Sequence, residues 1–392
     1  MKSNYKKIGD FIELVDERNR DLRITKLLGL SITKEFIPSV ANTVGTNMST
    51  YKIIRKGQFA CSIMQVRRDK KMPIALLQEF DKAIISQAYP VFQVIDENLL
   101  LPEYLMMWFS RSEFDRHACF LAVGGVRGSL EWGDFLEMEL PIPSFEKQHE
   151  IVAEYNTVVN RIKLNEQLNQ KLEETAQALY KHWFVDFEFP NKEGKPYKSS
   201  GGKMVFNEEL EKQIPERWEA KRIEDVADLK YGKMLDSSLF LESGYPIFSG
   251  YGIRGYYSSY MYEESQILVL CRGVSGTGEV RLSPKQAHIT NLSIVVEIDK
   301  NSVSREYYFY YLKNDNLRSL DSGSAQSQIT SGDLGFHYTL IPQKGIQDIF
   351  GSHVIVVHEQ LNINEKSIKK LNDLKSLFLA KMTKVELEKE IA

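Results

Sequence analysis

One long helical pattern occurs twice in this chain, the second copy 199 residues after the first. Gln148 and Gln347 open the two copies, and Pro143 and Pro342 precede them at that same separation. In the first copy the inward positions step alternately by four and three, through Ile151, Tyr155, Val158, Ile162, Asn165, Asn169, Leu172, Ala176, Leu179 and Trp183. The same shift gives Phe350, Val354, Val357, Leu361, Asn364, Ile368, Leu371, Lys375, Phe378 and Met382. Such spacing over several heptads is a coiled-coil pattern, and an Asn in the seam fixes register at some cost in stability. Asn165 and Asn364 occupy matching seam positions. An ordinary amphipathic helix would lie on its own domain, but independent helices have no reason to share both an interval and a polar seam residue. The two are therefore expected to pack on each other, and their placement after successive domains allows them to do so antiparallel.

The repeat extends upstream. Trp132-Gly133-Asp134-Phe135 before Leu140-Pro141-Ile142-Pro143 matches Ser331-Gly332-Asp333-Leu334 before Leu340-Ile341-Pro342. Pro102-Glu103-Tyr104-Leu105 is similar to Arg305-Glu306-Tyr307-Tyr308, and Ile8-Gly9-Asp10-Phe11 to Ile223-Glu224-Asp225-Val226. Short β-rich runs at 52–65, 88–95, 266–272 and 291–298 and helical runs at 103–116 and 305–316 suit mixed α/β, or α+β, domains. The expected organisation is a globular domain over 1–143, a spacer helix over 144–190, a Gly/Ser/Pro-bearing surface linker over 191–215, a second globular domain over 216–342 and a second spacer helix over 343–392. This is a pseudo-twofold tandem duplication of globular part followed by long helix.

With 392 residues, 43% of them hydrophobic, the chain can bury sizeable cores. The apolar runs, such as 267–271, are strand-length, so no membrane anchor is expected and a cytoplasmic setting fits. Cys61, Cys119 and Cys271 are scattered and odd in number, which suits reduced thiols better than a disulfide framework or a four-ligand zinc site. The net charge of −3 requires any nucleic-acid face to be local. The best run is Lys52, Arg55, Lys56, Arg67, Arg68, Lys70 and Lys71, for which a solvated loop is the alternative. Catalytic motifs do not emerge. Gly273 to Gly278 lacks the Lys-Ser/Thr of a phosphate loop, His353 and His358 lack metal-site spacing, and no Asn-Pro-Pro-aromatic or Asp-Pro-Pro-aromatic methyltransferase motif occurs.

Ala178-Leu179-Tyr180-Lys181-His182-Trp183-Phe184-Val185-Asp186-Phe187, followed by Ile214-Pro215-Glu216-Arg217-Trp218-Glu219, resembles the central joint of type I restriction-modification specificity subunits. There a first spacer helix ends and a second target-recognition domain begins. The stretch Pro246 to Tyr257, then Cys271-Arg272-Gly273, Thr290-Asn291 and Gly323 to Ile329, is similar to the loose recognition-domain pattern of that family. The first domain departs from it, with only Gly124-Gly125-Val126-Arg127-Gly128 near its end.

The resemblance implies a non-catalytic, sequence-specific reader of double-stranded DNA with a bipartite, asymmetric target. It implies two modification (methyltransferase) subunits carrying S-adenosylmethionine for adenine methylation, and restriction (endonuclease/translocase) subunits using ATP and Mg for cleavage. No cofactor is expected on this chain. Base edges are read by Arg on guanine and Asn or Gln on adenine, positioned by phosphate contacts. The candidates in the second half are Lys233, Tyr251, Arg254, Tyr256, Arg272, Gln326 and Gln328. Those in the first are Gln65, Arg67, Arg68 and Arg127, with the basic run for phosphates. Two heads on one duplex face need a spacing of about one helical turn, roughly 34 Å, and a helix of roughly 35 residues spans about 50 Å. The rival reading is a coiled-coil adaptor for protein ligands without DNA readout.

Overall fold

The same four-stranded antiparallel sheet is built twice. In the first copy the strand order is Ile12–Val15, Val91–Val94, Phe59–Cys61, Ile74–Leu76. In the second it is Ala227–Tyr231, Ser293–Ile298, Ile267–Leu270, Val280–Leu282. A second sheet accompanies each, of four strands in the first half and three in the second. Leu27–Leu30 runs parallel to Lys82–Ile85 in the first half, as Tyr245–Phe248 does to His288–Ile289 in the second. A two-stranded ribbon ties the start of each half to its end, Tyr5–Lys7 with Glu139–Pro141 and Glu219–Arg222 with Tyr338–Ile341. This computed structural model describes residues 5–40, 45–64, 66–122, 128–273, 276–322 and 327–382. It divides into two units, one of residues 1–166 with 365–392 and the other of residues 167–364.

The chain departs from the sequence reading in three places. The run 52–65 is two strands, Lys52–Arg55 and Phe59–Cys61, in different sheets. Gly57, at φ +86, makes the turn between them. The helical run 103–116 breaks at Ser110–Arg111 into Pro102–Phe109 and Ser112–Leu121, because Arg111 adopts an extended backbone (ψ 143). The segment 191–215, expected to be a surface linker, carries an antiparallel hairpin of Met204–Asn207 with Lys212–Pro215. Its Ile214 is buried in the second unit's core, and Phe189 just before it stacks on Trp218 and Tyr197. Apolar side chains inside a Gly/Ser-rich stretch gave this segment something to bury.

The long helices are Phe145–Tyr180, prolonged by a π-helical turn over Lys181–Val185, and Lys344–Lys381. Every one of the seam positions named above is buried or half-buried. In the first unit Asn165 Nδ2 donates to Ser367 Oγ (3.2 Å), and Leu379 and Met382 pack into the core that holds Ile151, Val152 and Tyr155. In the second, Asn364 Nδ2 donates to Asn169 Oδ1 (2.8 Å), and Phe350 meets Tyr180 and Trp183. Partner numbers fall as residue numbers rise, so the pairing is antiparallel.

Each long helix is fastened to its own half by a fully buried glutamine. Gln148 Oε1 accepts from the Leu101 amide (2.9 Å), while Nε2 donates to the carbonyls of Leu99 (2.9 Å) and Pro143 (3.1 Å). Gln347 does the same with Ser304 N (2.8 Å), Ser302 O (3.2 Å) and Pro342 O (2.7 Å). Alongside, the Tyr104 hydroxyl donates to Pro141 O and the Tyr307 hydroxyl to Leu340 O. Among these, the Leu101 and Ser304 amides stand at the start of a short helix and would otherwise be buried without partners.

Candidate nucleic-acid interface

In the second half three candidate side chains converge where an inner strand of the large sheet ends. Strand Ile267–Leu270 continues into Cys271 and Arg272, and the chain returns opposite it so that Arg272 bridges to Gln328 in antiparallel fashion. The Ile329 amide donates to Cys271 O (3.0 Å), and the Gln328 amide is held by Asp321 Oδ1 (2.8 Å). The Tyr251 hydroxyl donates to Arg272 O (2.7 Å), while its ring stays half open to solvent. Gly273, at φ +124, makes this approach feasible, since a Cβ there would stand 2.4 Å from the tyrosine oxygen. Tyr251, Arg272 and Gln328 thus form one group on a rigid backbone frame.

Arg254 and Tyr256 lie on Ile253–Tyr257, the outer strand of the small sheet, with Arg254 exposed and Tyr256 half-buried. Lys233 follows strand Ala227–Tyr231, its amide bonded to Ile289 O (2.8 Å) and its carbonyl to the His288 ring (3.1 Å), and its side chain is exposed. Nearby, Thr290 Oγ1 and Asn291 Oδ1 are buried with no partner among the described residues. Such oxygens usually bind water or a ligand. Gln326 lies outside the described residues.

In the first half the basic run is held by two different sets of neighbours. Lys52 is half-buried, donates to Tyr89 O (2.9 Å) and stands 3.9 Å from Asp16, and burial lowers its pKa. Arg55 makes a two-pronged pair with Glu17 (2.8 and 2.7 Å). Arg67 and Arg68 stand on the short helix Val66–Asp69, with Lys70 and Lys71 after it, and Arg68 pairs with Asp69 (2.7 Å). This segment is pinned from below: Asp115 Oδ1 accepts from the Met72 amide (3.1 Å) and pairs with the buried Lys34 (2.8 Å). The Arg67 amide donates to Gly128 O (3.1 Å); Gly128 sits at φ +63, where a Cβ would come within 2.5 Å of the Arg67 Cβ. Gln65 and Arg127 lie outside the described residues.

A cation already paired with a carboxylate has less to offer a phosphate. Among the described residues, Lys56, Arg67, Lys70, Lys71, Lys233, Arg254 and Arg272 are exposed and make no ion pair with an acidic side chain. Lys52, Arg55 and Arg68 are engaged within the fold. Also among the described residues, no helix is long and apolar enough to cross a membrane and no group of three His, Cys, Asp or Glu is placed to hold a metal.

The sequence model of the type I restriction modification DNA specificity domain matches residues 3–174 and 215–373, one match per half. The chain belongs to this family. A type I restriction enzyme MjaIX specificity subunit from Methanocaldococcus jannaschii is 25% identical over 322 residues, covering 76% of this chain and 72% of that protein. A type I restriction enzyme HindI specificity subunit from Haemophilus influenzae is 22% identical over 411 residues, covering 86% and 88%. Among solved structures, a type I restriction-modification S subunit from M. genitalium has the same fold, with a TM-score of 0.63 at 16% identity over 96% of this chain and 95% of that one.

Membership in the specificity-domain family implies recognition of DNA sequence. It accounts for the duplicated fold better than for any single side chain. Residues that order the interface without touching its surface were missed by sequence reasoning, notably the buried pair Lys34–Asp115 and the glycine cradle under Tyr251. Gly273 was visible as part of a glycine-rich run. Lys34 and Asp115 stand 81 positions apart, and no local pattern joins them.

Proposed function

We propose that this chain is the DNA-reading, non-catalytic subunit of a type I restriction-modification complex. It binds a bipartite target in double-stranded DNA whose two halves differ, with one half-site read by each globular half. It directs two modification subunits, which carry S-adenosylmethionine and methylate adenine, and restriction subunits that use ATP and Mg to cleave. The observation that carries this reading is the group formed by Tyr251, Arg272 and Gln328, where an exposed unpaired arginine sits opposite a glutamine on fixed backbone. Arginine offers paired donors to guanine, and glutamine matches the adenine edge. The antiparallel seam supports two readers held in a set register.

Mapping methylated bases in the host genome with and without the gene tests the proposal. A single consensus of two unlike halves separated by an unread gap is expected, and methylation without such a consensus overturns it. Affinity for a target duplex should fall steeply with salt, the slope shrinking by about one for each exposed cation removed.

One observation favours the adaptor reading. Ile349, Val356 and Ile363, seven residues apart on the second long helix, are 49%, 64% and 59% exposed, an apolar line off the seam that suits a protein partner. In a complex with modification subunits both features have a role. An adaptor without readout would retain no DNA even at low salt.

A further inference from the structure

The duplicated backbone gives the first half a place equivalent to the Arg272–Gln328 bridge, and different residues fill it. Strand Phe59–Cys61 occupies the position in its sheet that Ile267–Leu270 occupies in the other, third in the four-stranded order, between Val91–Val94 and Ile74–Leu76 in one half and between Ser293–Ile298 and Val280–Leu282 in the other. Two residues beyond it, the Leu130 amide donates to Ile63 O (2.9 Å), as the Ile329 amide donates to Cys271 O (3.0 Å). Leu130 and Ile329 are both buried, and each precedes by two residues a short helix, Trp132–Glu137 or Ser331–Phe336. The residue after the acceptor is Arg272 in one half and Met64 in the other. The residue before the donor is Gln328 in one and Ser129 in the other.

We infer that Met64, with Ser129 beside it, stands in the first half where Arg272 and Gln328 stand in the second, and reads a 5-methyl pyrimidine edge, thymine in ordinary DNA. This rests on the DNA-reading proposal above. Met64 is 41% exposed, although methionine gains by burial, so the fold presents a flexible apolar side chain to solvent at this place. A thioether donates no hydrogen bond to guanine, but its polarisable surface matches the thymine methyl group, the one apolar feature of the major-groove edges. Arg67 supplies the charge beside it: its amide is fixed to Gly128 O, next to Ser129, and its guanidinium is exposed without an acidic partner among the described residues. The two half-sites therefore differ in the chemistry of readout at matching places, a methyl contact in one and hydrogen bonds in the other.

The test uses the full chain assembled with its modification partner. The wild-type recognition sequence is first mapped from methylated bases, and Arg272→Ala identifies the half-site of the second head by relaxing a base there. Met64→Ala should relax one T·A position in the other half-site and leave the first-identified half unchanged. On synthetic duplexes, replacing each thymine in turn by uracil should weaken wild-type binding about fourfold at one position, the worth of one buried methyl. That loss should vanish in Met64→Ala. Met64→Leu, which keeps volume, should retain the preference and serves if Met64→Ala does not fold. The inference is overturned if no uracil replacement weakens wild-type binding, or if a folded Met64→Ala keeps the full consensus. Absence of any bipartite wild-type consensus would overturn the DNA-reading proposal and this inference together.

Discussion

The two globular halves agree where backbone must be held and differ where side chains meet solvent. Gln148 and Gln347 make the same three hydrogen bonds, and Tyr104 and Tyr307 the same fourth one, at corresponding places. The second sheet carries an extra edge strand, Lys52–Arg55, in the first half, whereas its counterpart in the other half has three strands. A reader that must change its target can vary loops and edge residues freely, while a buried amide cannot change without stranding its partners. The comparison thus separates fastening from recognition.

The largest effect should come from the place where the halves differ most inside. Phe350 is fully buried among Tyr180, Trp183, Phe184 and Tyr310, whereas its counterpart Ile151 is only half-buried. Phe350→Ala should cost about 3–5 kcal/mol in urea unfolding and Ile151→Ala clearly less; equal losses would break the asymmetry. Next, Gln148→Ala and Gln347→Ala should each cost about 2–4 kcal/mol, since each leaves three backbone groups without their partner, a buried amide among them. If one proves neutral in thermal melts, the two fastenings are not equivalent.

The seam amides should respond in the opposite direction. Asn165 and Asn364 are both 5% exposed, and Asn165→Leu with Asn364→Leu should raise stability by about 1 kcal/mol while loosening register, visible as a broader set of crosslinks between cysteines placed along the seam. A destabilised double variant would show that the amides are worth more than their desolvation costs.

The smallest effect concerns pH and the second half alone. Burial lowers the pKa of His358, whose ring bonds to the Tyr310 hydroxyl (3.0 Å) and stacks on its ring. A histidine with a depressed folded pKa takes up its proton more readily when unfolded. Its contribution is therefore full above the ordinary histidine pKa, about 6.5, and is lost as pH falls below it. The melting temperature should drop modestly between pH 7.5 and 5.5, and His358→Gln should flatten that slope.

Much of this architecture was legible because it repeats or is periodic. The seam could be read residue by residue, since a 3.5-residue spacing has one structural meaning over many turns. The basic run was legible only as a list of charges. Arg55 is matched by Glu17 and Lys52 by Tyr89 O, partners 38 and 37 positions away that no local pattern shows. Gln148 and Gln347 stood out as helix openers, but their grip on Leu101 and Ser304 depends on a fold that brings distant backbone to them. The hairpin at 204–215 was hidden by its glycines and serines, which outweighed Ile214 in a reading by composition.

The π-helical turn over Lys181–Val185 carries one residue more than an α-turn, closed by the Asp186 amide on Lys181 O (2.9 Å). That surplus is why two neighbours, Trp183 and Phe184, can both point inward and remain buried. Removing a single residue from this turn would let it tighten to the α-helical period, and because the looser turn spreads its extra residue over about the same rotation, everything downstream would keep its facing. Shortening the chain here by one should therefore be better tolerated than at any point along the seam, where it would turn everything beyond by about 100°.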